Sequence, residues 1–362
     1  MSKLSIAIIT CNEEANIRAC LESAAWADEI ILVDAGSDDA TVAIAREFTD
    51  RIFYRTWDGF AAQKEFALQQ CTSPWVLSLD ADERIRPDLR EEIRAIIRDP
   101  HAQAGYRVGR RSWFLGKWIR FGGWYPGYQL RLFRREAVRM NHRRVHEGFE
   151  VEGGTGTLAG DLDHFSHPSI VSSLDKMNRY STLEAYDRLT RKRVHVIDFV
   201  THPFAAFMRK YVAQGGFRDG LHGLVLAWVT AVVKLALYMK IWQLQRQPAP
   251  EAAGAEHSTG SAAAGTERLE GEAAEAAGAD LLCLFDEQQA ELEQYQPAAG
   301  ERGRKPGLKA FILRPLAAFC SYYFRRGRPG GVPGLMQAML ASVYATAREL
   351  CKWEAGLSNT SS

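Results

Sequence analysis

The sequence predicts an α/β domain, a mostly parallel sheet with helices on both faces, followed by a helical region of different character. Two observations predict it. Short β-branched or aromatic runs alternate with helical patterns through roughly the first hundred residues, as in successive strand–helix–strand units. Three of those runs then end in polar clusters: Thr10-Cys-Asn12-Glu13-Glu14, Asp34-Ala-Gly36-Ser37-Asp38-Asp39 and Asp80-Ala-Asp82-Glu83. Ligands of such sheets lie beyond the carboxyl ends of the strands, so the clusters mark a candidate site.

Leu4 to Thr10, Glu29 to Val33, Arg51 to Arg55 and Trp75 to Leu79 read as strands. Between them Glu14 to Ala24, Asp39 to Phe48 and Phe60 to Gln70 read as helices; a fourth runs from Pro87 to Arg98, its proline suited to the first helical position. The first turn lacks G-x-G-x-x-G, which weighs against a nicotinamide or flavin enzyme. From Ala104 to about Phe165 the texture becomes aromatic and Gly-rich, as in Gly122-Gly-Trp124-Tyr125-Pro-Gly127, and predicts added strands and loops lining the open face. Ser169 to Arg193 reads as a long polar helix and Pro203 to Gln245 as one or two apolar helices. Residues 246–306 form an acidic, low-complexity linker with too little apolar surface to offset its ordering entropy. A second hydrophobic unit, 307–357, resembles a repeat of 203–242: Pro203-Phe-Ala-Ala-Phe207 is matched by Pro315-Leu-Ala-Ala-Phe319, Gly223-Leu224 by Gly334-Leu335, and Lys240-Ile-Trp242 by Lys352-Trp353.

Composition narrows the function classes. With 362 residues, 46% hydrophobic and 25% charged, the chain has core enough for one or two domains. A formal net charge of +1 provides no global field for nucleic acid. The six cysteines are scattered without a C-x-x-C, so neither a zinc site nor a disulfide framework is indicated and a reducing compartment fits. The apolar run at the N-terminus is too short for a signal peptide and reads as a first strand, which predicts a cytoplasmic domain.

The strongest chemical signal follows the run Trp75-Val-Leu-Ser-Leu79. Asp80 and Asp82 alternate along a strand end and can point into one site. Hard oxygen ligands favour Mg²⁺ or Mn²⁺, ions usually held by a couple of carboxylates plus substrate phosphates. The alternative is a solvated acidic turn, and the two neighbouring polar strand ends weigh against it.

Taken in order, Ser5-Ile-Ala-Ile-Ile-Thr10-Cys-Asn12-Glu13, Ile31-Leu-Val-Asp34-Ala-Gly36-Ser37-Asp38-Asp39-Ala-Thr41 and Leu77-Ser-Leu-Asp80-Ala-Asp82-Glu83 resemble family 2 glycosyltransferases with the GT-A fold. Tyr128-Gln-Leu-Arg131-Leu-Phe-Arg134-Arg135, Val145-His146-Glu147 and Leu162-Asp-His164-Phe are similar to the subgroup that includes lipopolysaccharide-core β-glucosyltransferases. The resemblance implies a catalytic domain over 1–165, with a nucleotide-sugar half (1–100) and an acceptor half (101–165), followed by a helical region over 166–245. It implies that Thr10, Asn12, Glu13 and Asp34 face the nucleoside, with Asp38 assisting, and that Asp80 takes ribose or metal-bound water. Asp82 would hold the ion. Lys64 could reach base or phosphate and Arg131 the diphosphate, while Trp124 and Tyr125 offer flat faces for a sugar. An inverting transfer also needs a base, for which Glu147 is the first choice and His146 the rival. Either His146 or His164 could complete the metal sphere.

Leu221 to Trp242 approaches the length of a membrane span, but Lys234 lies inside it. Arg209, Lys210, Arg218, Lys234 and Lys240 instead predict helices lying against anionic lipid, with a soluble bundle as the alternative. The expectation is therefore a metal-dependent hexosyltransferase using a nucleotide sugar, most simply UDP-glucose, and a lipid-linked glycan acceptor at the cytoplasmic face of the inner membrane. Transfer to a polyprenyl phosphate or a peptide is the nearest rival. A nucleotidyltransferase needs a Gly-rich basic loop where this chain has Cys11-Asn-Glu-Glu-Ala, and a silent scaffold would have no need of the intact carboxylate set.

Overall fold

A computed structural model describes residues 3–141, 148–167, 169–190, 193–246, 288–297, 301–302, 306, 318 and 331–357. The chain divides into two compact units, Met1–Ser166 and His167–Ser362.

In the first unit β1 (Leu4–Thr10), β2 (Glu29–Asp34), β3 (Ile52–Tyr54) and β4 (Trp75–Asp80) alternate with α1 (Glu14–Ala24), α2 (Thr41–Ala45) and α3 (Phe60–Gln70). β5 (Glu83–Ile85), α4 (Pro87–Ile96), β6 (Gly105–Phe114), β7 (Lys117–Trp118), β8 (Gln129–Arg134), β9 (Val138–Asn141), β10 (Gly148–Val151) and β11 (Thr155–His167) follow. The nine-stranded sheet runs β3-β2-β1-β4-β8-β6-β11-β5, with β7 beside β6. β3, β2, β1 and β4 are mutually parallel, as the alternating pattern predicts. The expectation of a mostly parallel sheet needs correction beyond β4: β8 pairs antiparallel to β4, β6 to β8, and β5 to β11. β6 and β8 are joined without a crossover helix of the kind parallel neighbours require. β6, β8 and β11 come from the aromatic segment, which extends the sheet instead of merely decorating it.

Helices cover both faces. Along β1, Leu4, Ile6 and Ile8 join Ile17, Leu21, Leu89 and Ile93 of α1 and α4 in one core, while Ala7 joins Ala67 and Cys71, on and just after α3, in the other. This is the period-two alternation of a strand buried on both sides. β1 lies between β2 and β4, so the chain order reverses there; Thr10 registers with Asp34, and Ile9 with Asp80. Such a switch point is where open α/β sheets bind ligands.

The second unit is helical: α5 (Ile170–Arg188), α6 (Asp198–Met208), α7 (Leu221–Leu244) and α8 (Gly331–Leu357). α7 packs on α5 and α6, and α8 on α5. α7 is long and apolar enough to cross a membrane by composition, yet more than half of its apolar window is buried inside the protein. Of the cations expected to face lipid, Lys240 does not. Lys240 is buried, its ammonium donating to Asn178 O and Oδ1 (2.7 Å each), Ser181 Oγ (2.9 Å) and Thr182 Oγ1 (2.8 Å), and Lys234 pairs with Glu184 at 3.2 Å. Most of the linker and of the first half of the expected repeat, including Pro315, lies outside the described residues.

Candidate active site

The ends of β1 and β2 are tied together by side chains accepting from backbone. Asp34 Oδ2 accepts from the amides of Gly36 and Ser37 at 2.9 Å each, and its Oδ1 from Ser37 Oγ at 2.5 Å. Asn12, at φ 53°, accepts from the amide of Asp38 at 3.0 Å and donates its own amide to Ser37 Oγ at 2.9 Å. Asparagine tolerates that left-handed backbone better than most residues. Glu13 donates its amide to Thr41 Oγ1 at 2.8 Å, and its carboxylate accepts from Asn16 Nδ2 at 2.8 Å, so it is turned toward α1. Asp38 is exposed. Thr10 is different: its hydroxyl is buried between the ends of β2 and β4 with no hydrogen-bond partner. A buried unsatisfied group in a native fold is a place to look for a ligand. A cleft of about 470 Å³ beside the β2 end is lined by Asp34, Val42, Arg46, Asp50, Ile52 and Tyr54.

The end of β4 is organised by charge instead. Arg131, expected to face a diphosphate, is only 1% exposed and sits between two carboxylates, Asp80 Oδ2 at 2.5 Å and Glu83 Oε1 at 2.6 Å. Lys64 reaches the other oxygen of Asp80, Oδ1, at 2.8 Å. Glu83 is fully buried, and its Oε2 accepts from the amide of Asp80 at 3.0 Å. Burial alone pushes Asp80 up, but Arg131 and Lys64 outweigh it and hold the carboxyl well below its ordinary range. Glu83 ends raised, because its burial together with the charges of Asp80 and Asp82 exceeds the help from Arg131. Asp80 is thus kept ionised, and Glu83 together with Arg131 forms its support.

Asp82 faces His164. β5 and β11 pair so that His164 stands opposite Glu83, bringing His164 Nε2 to 3.5 Å from Asp82 Oδ2. On the other side of the ring Nδ1 lies 3.3 Å from Ser112 Oγ of β6. A carboxylate and an imidazole whose far nitrogen is held by a hydroxyl make a donor pair that a divalent ion can complete with water and phosphate oxygens. No ready-made group of three or more His, Cys, Asp or Glu ligands occurs among the described residues. Asp80, the third expected ligand, has both oxygens committed to cations.

Sequence reasoning did not single out Ser112 or Arg110. Their spacing of two along β6 puts them on one face, where Arg110 Nη1 lies 3.9 Å from Glu83. That alternation was legible, but the pairing of β6 within the sheet was not. In the aromatic loop Trp124 meets buried Phe114 edge to face, centroids 6.5 Å apart, so part of its surface belongs to the core. Tyr125 is partly exposed, donates its hydroxyl to Asp161 Oδ2 at 3.0 Å and stands perpendicular to Trp118. Glu147 and His146 lie outside the described residues.

An α/β unit with acidic groups gathered at the switch point of its sheet places a candidate ligand site at the strand ends. Comparison with known proteins then makes the assignment specific: the model of the family Glycosyl transferase family 2 matches residues 5–155. The lipopolysaccharide core biosynthesis glycosyltransferase LpsC of Rhizobium meliloti is 36% identical over 248 residues, 66% of this chain and 92% of that protein. An uncharacterized glycosyltransferase of Rickettsia felis is 40% identical over 67% of this chain and 90% of its own length. Among solved structures, Staphylococcus aureus TarS 1–349 in complex with UDP-GlcNAc aligns at 14% identity with a TM-score of 0.36, over 67% of this chain and 91% of that one. The chain belongs to glycosyl transferase family 2 and is a glycosyltransferase with a GT-A-like α/β fold.

Proposed function

We propose that this chain is a metal-dependent, inverting hexosyltransferase that moves glucose from UDP-glucose to a lipid-linked glycan of the lipopolysaccharide-core type, at the cytoplasmic face of the inner membrane. The acceptor class rests on likeness to LpsC, whose name carries lipopolysaccharide core biosynthesis and which this chain matches over 92% of its length. The observation that carries the chemistry is the arrangement after β4: Asp80 held ionised by Arg131 and Lys64, and Asp82 facing His164 at 3.5 Å.

In this reading the buried hydroxyl of Thr10 and the carboxylate of Asp34 meet the nucleoside, with Asn12, Glu13 and Asp38 shaping the loop around it. Asp80, held toward its ionised form by Arg131 and Lys64, accepts from the ribose hydroxyls. Asp82 and His164 hold Mg²⁺ or Mn²⁺, which when bound neutralises the charge that develops on the departing diphosphate, a Lewis-acid role worth several kcal/mol. Glu147, with His146 as the rival, removes the proton of the acceptor hydroxyl as it attacks the anomeric carbon. General-base help of that kind contributes about 10²- to 10⁴-fold. Trp124 and Tyr125 border the acceptor.

The test is nucleotide release from a panel of nucleotide sugars with Mn²⁺ or Mg²⁺, comparing wild type with Asp82→Ala. Loss of roughly 10²-fold or more is expected for the variant and for wild type in chelator, by the size of such metal effects. Equal turnover by Asp82→Ala would remove the metal assignment. A preference for another donor would remove UDP-glucose and leave the rest standing.

A further inference from the structure

Residues 193–220 concentrate exposed apolar surface in the second unit. Ile197 (64% exposed), Val200 (57%), Phe204 (64%) and Met208 (39%) recur at spacings of three, four and four, along a single face of α6 and the residue preceding it. Val212, 51% exposed, continues the spacing through the π-helical turn Arg209–Ala213. The opposite face of α6 is apolar too: Phe199 and Ala206 are buried, Phe199 meets Trp242 edge to face, and His202 stacks on Tyr238 of α7 with centroids 4.0 Å apart. An exposed apolar stripe of this length marks an interaction surface.

The exposed Asp, Glu, Lys and Arg side chains of residues 193–220 carry one sign. Arg193, Arg209 and Arg218 are exposed. The acidic residues of this segment, Asp198 and Asp219, are 6% and 3% exposed and offer no charge at its surface. Phe217, exposed beside Arg218, adds an aromatic to the basic end. We infer that α6 and the turn after it are an interfacial helix that lies in the headgroup layer of an anionic bilayer, apolar stripe down. This deepens the membrane placement proposed above and rests on it. It narrows the expected contact to α6 and the turn after it, leaving out α7, whose Lys240 is buried against α5. An anionic headgroup layer complements exposed arginines on the rim of an apolar stripe. A second copy is the poorer occupant, because an isologous contact over this stripe sets the same basic rim against itself.

The experiment is co-sedimentation of the full chain with phosphatidylcholine vesicles, with and without phosphatidylglycerol, alongside nucleotide release. The charge-introducing variant Val200→Asp/Phe204→Asp changes only exposed positions, and Phe204→Trp retains the stripe. Wild type and Phe204→Trp should pellet with phosphatidylglycerol vesicles, Phe204→Trp with a blue-shifted indole emission. Partitioning of the aspartate variant should fall at least about tenfold, since a carboxylate is poorly tolerated in the apolar layer. Its nucleotide release without vesicles should equal that of wild type. Undiminished pelleting of the aspartate variant would overturn the α6 assignment while leaving a membrane enzyme. Failure of wild type to pellet would overturn the assignment and the membrane placement together, with nucleotide release still reporting the transferase. A wild-type dimer that the aspartate variant dissociates, seen by sedimentation velocity, would give the stripe to a second copy instead.

Discussion

Arg131 in the first unit and Lys240 in the second are both almost fully buried, and they are held in opposite ways. Arg131 sits between two carboxylates, Asp80 and Glu83, in a cluster that also contains Lys64. Lys240 is ringed by the carbonyl and amide oxygens of Asn178 and the hydroxyls of Ser181 and Thr182. A charge taken out of water has to be compensated, but neutral dipoles are enough when the group only joins two helices. Counter-charges are used where the neighbour's own ionisation matters. The first arrangement sets the protonation state of Asp80; the second cross-links α5 and α7.

The largest effect should come from Arg131→Met, which strands Asp80 and Glu83 together. Breaking a buried pair this way costs roughly 3–5 kcal/mol, read from urea unfolding. The pH dependence gives a second reading. Asp80 has a native pKa held below its ordinary value, so its ionised form stabilises the fold above the ordinary carboxylate range, and that contribution is lost as pH falls through the lowered value. Without Arg131, burial drives Asp80 upward, and the acid limb of kcat/KM should move to higher pH. Glu83 runs the other way: its pKa is already raised, so stability falls as pH rises through that value, more steeply in the variant. An unmoved acid limb would mean that Arg131 has no part in setting Asp80.

Lys240→Met should cost less, about 1–3 kcal/mol, because the oxygens it leaves can partly satisfy one another: Ser181 Oγ and Thr182 Oγ1 already donate to Asn178 O at 2.9 and 3.0 Å. Its pH–rate profile should match wild type. If it destabilised as much as Arg131→Met, the contrast between the two cations would be lost. Lys64→Met removes the weaker and partly solvated of the two cations on Asp80. It should cost about 1.5 kcal/mol and shift the acid limb in the same direction as Arg131→Met but by less, which pH–rate profiles of both variants would resolve. The smallest change expected is Asn12→Ala, at roughly 1 kcal/mol in thermal unfolding, from the lost acceptor for the Asp38 amide and the left-handed backbone.

The parallel half of the sheet and its polar ends were legible because they depend on local patterns. Strands predicted at Leu4 to Thr10 and Trp75 to Leu79, and helices at Glu14 to Ala24 and Phe60 to Gln70, are present at those places. The antiparallel half was not legible, since aromatic and Gly-rich strands carry no signal of their neighbours. Arg131 shows the consequence. Its charge invited a phosphate, and its burial between Asp80 and Glu83 follows from β8 entering the sheet beside β4, a contact 51 residues distant in sequence. Lys240 likewise reads as a lipid-facing cation until α5 is set against α7.

By itself the sequence determined an α/β domain of the glycosyltransferase type and the acidic groups that end its strands, because residue period and strand-end chemistry are written in adjacent positions. Tertiary structure decided what each charge is for. Which partner a carboxylate meets, His164 for Asp82 or two cations for Asp80, depends on which strands are neighbours. Likewise, only the packed helices show that the apolar face left in water belongs to α6 while the more hydrophobic α7 is largely enclosed. Burial and ion pairing are properties of groups brought together from far along the chain, and no local pattern encodes them.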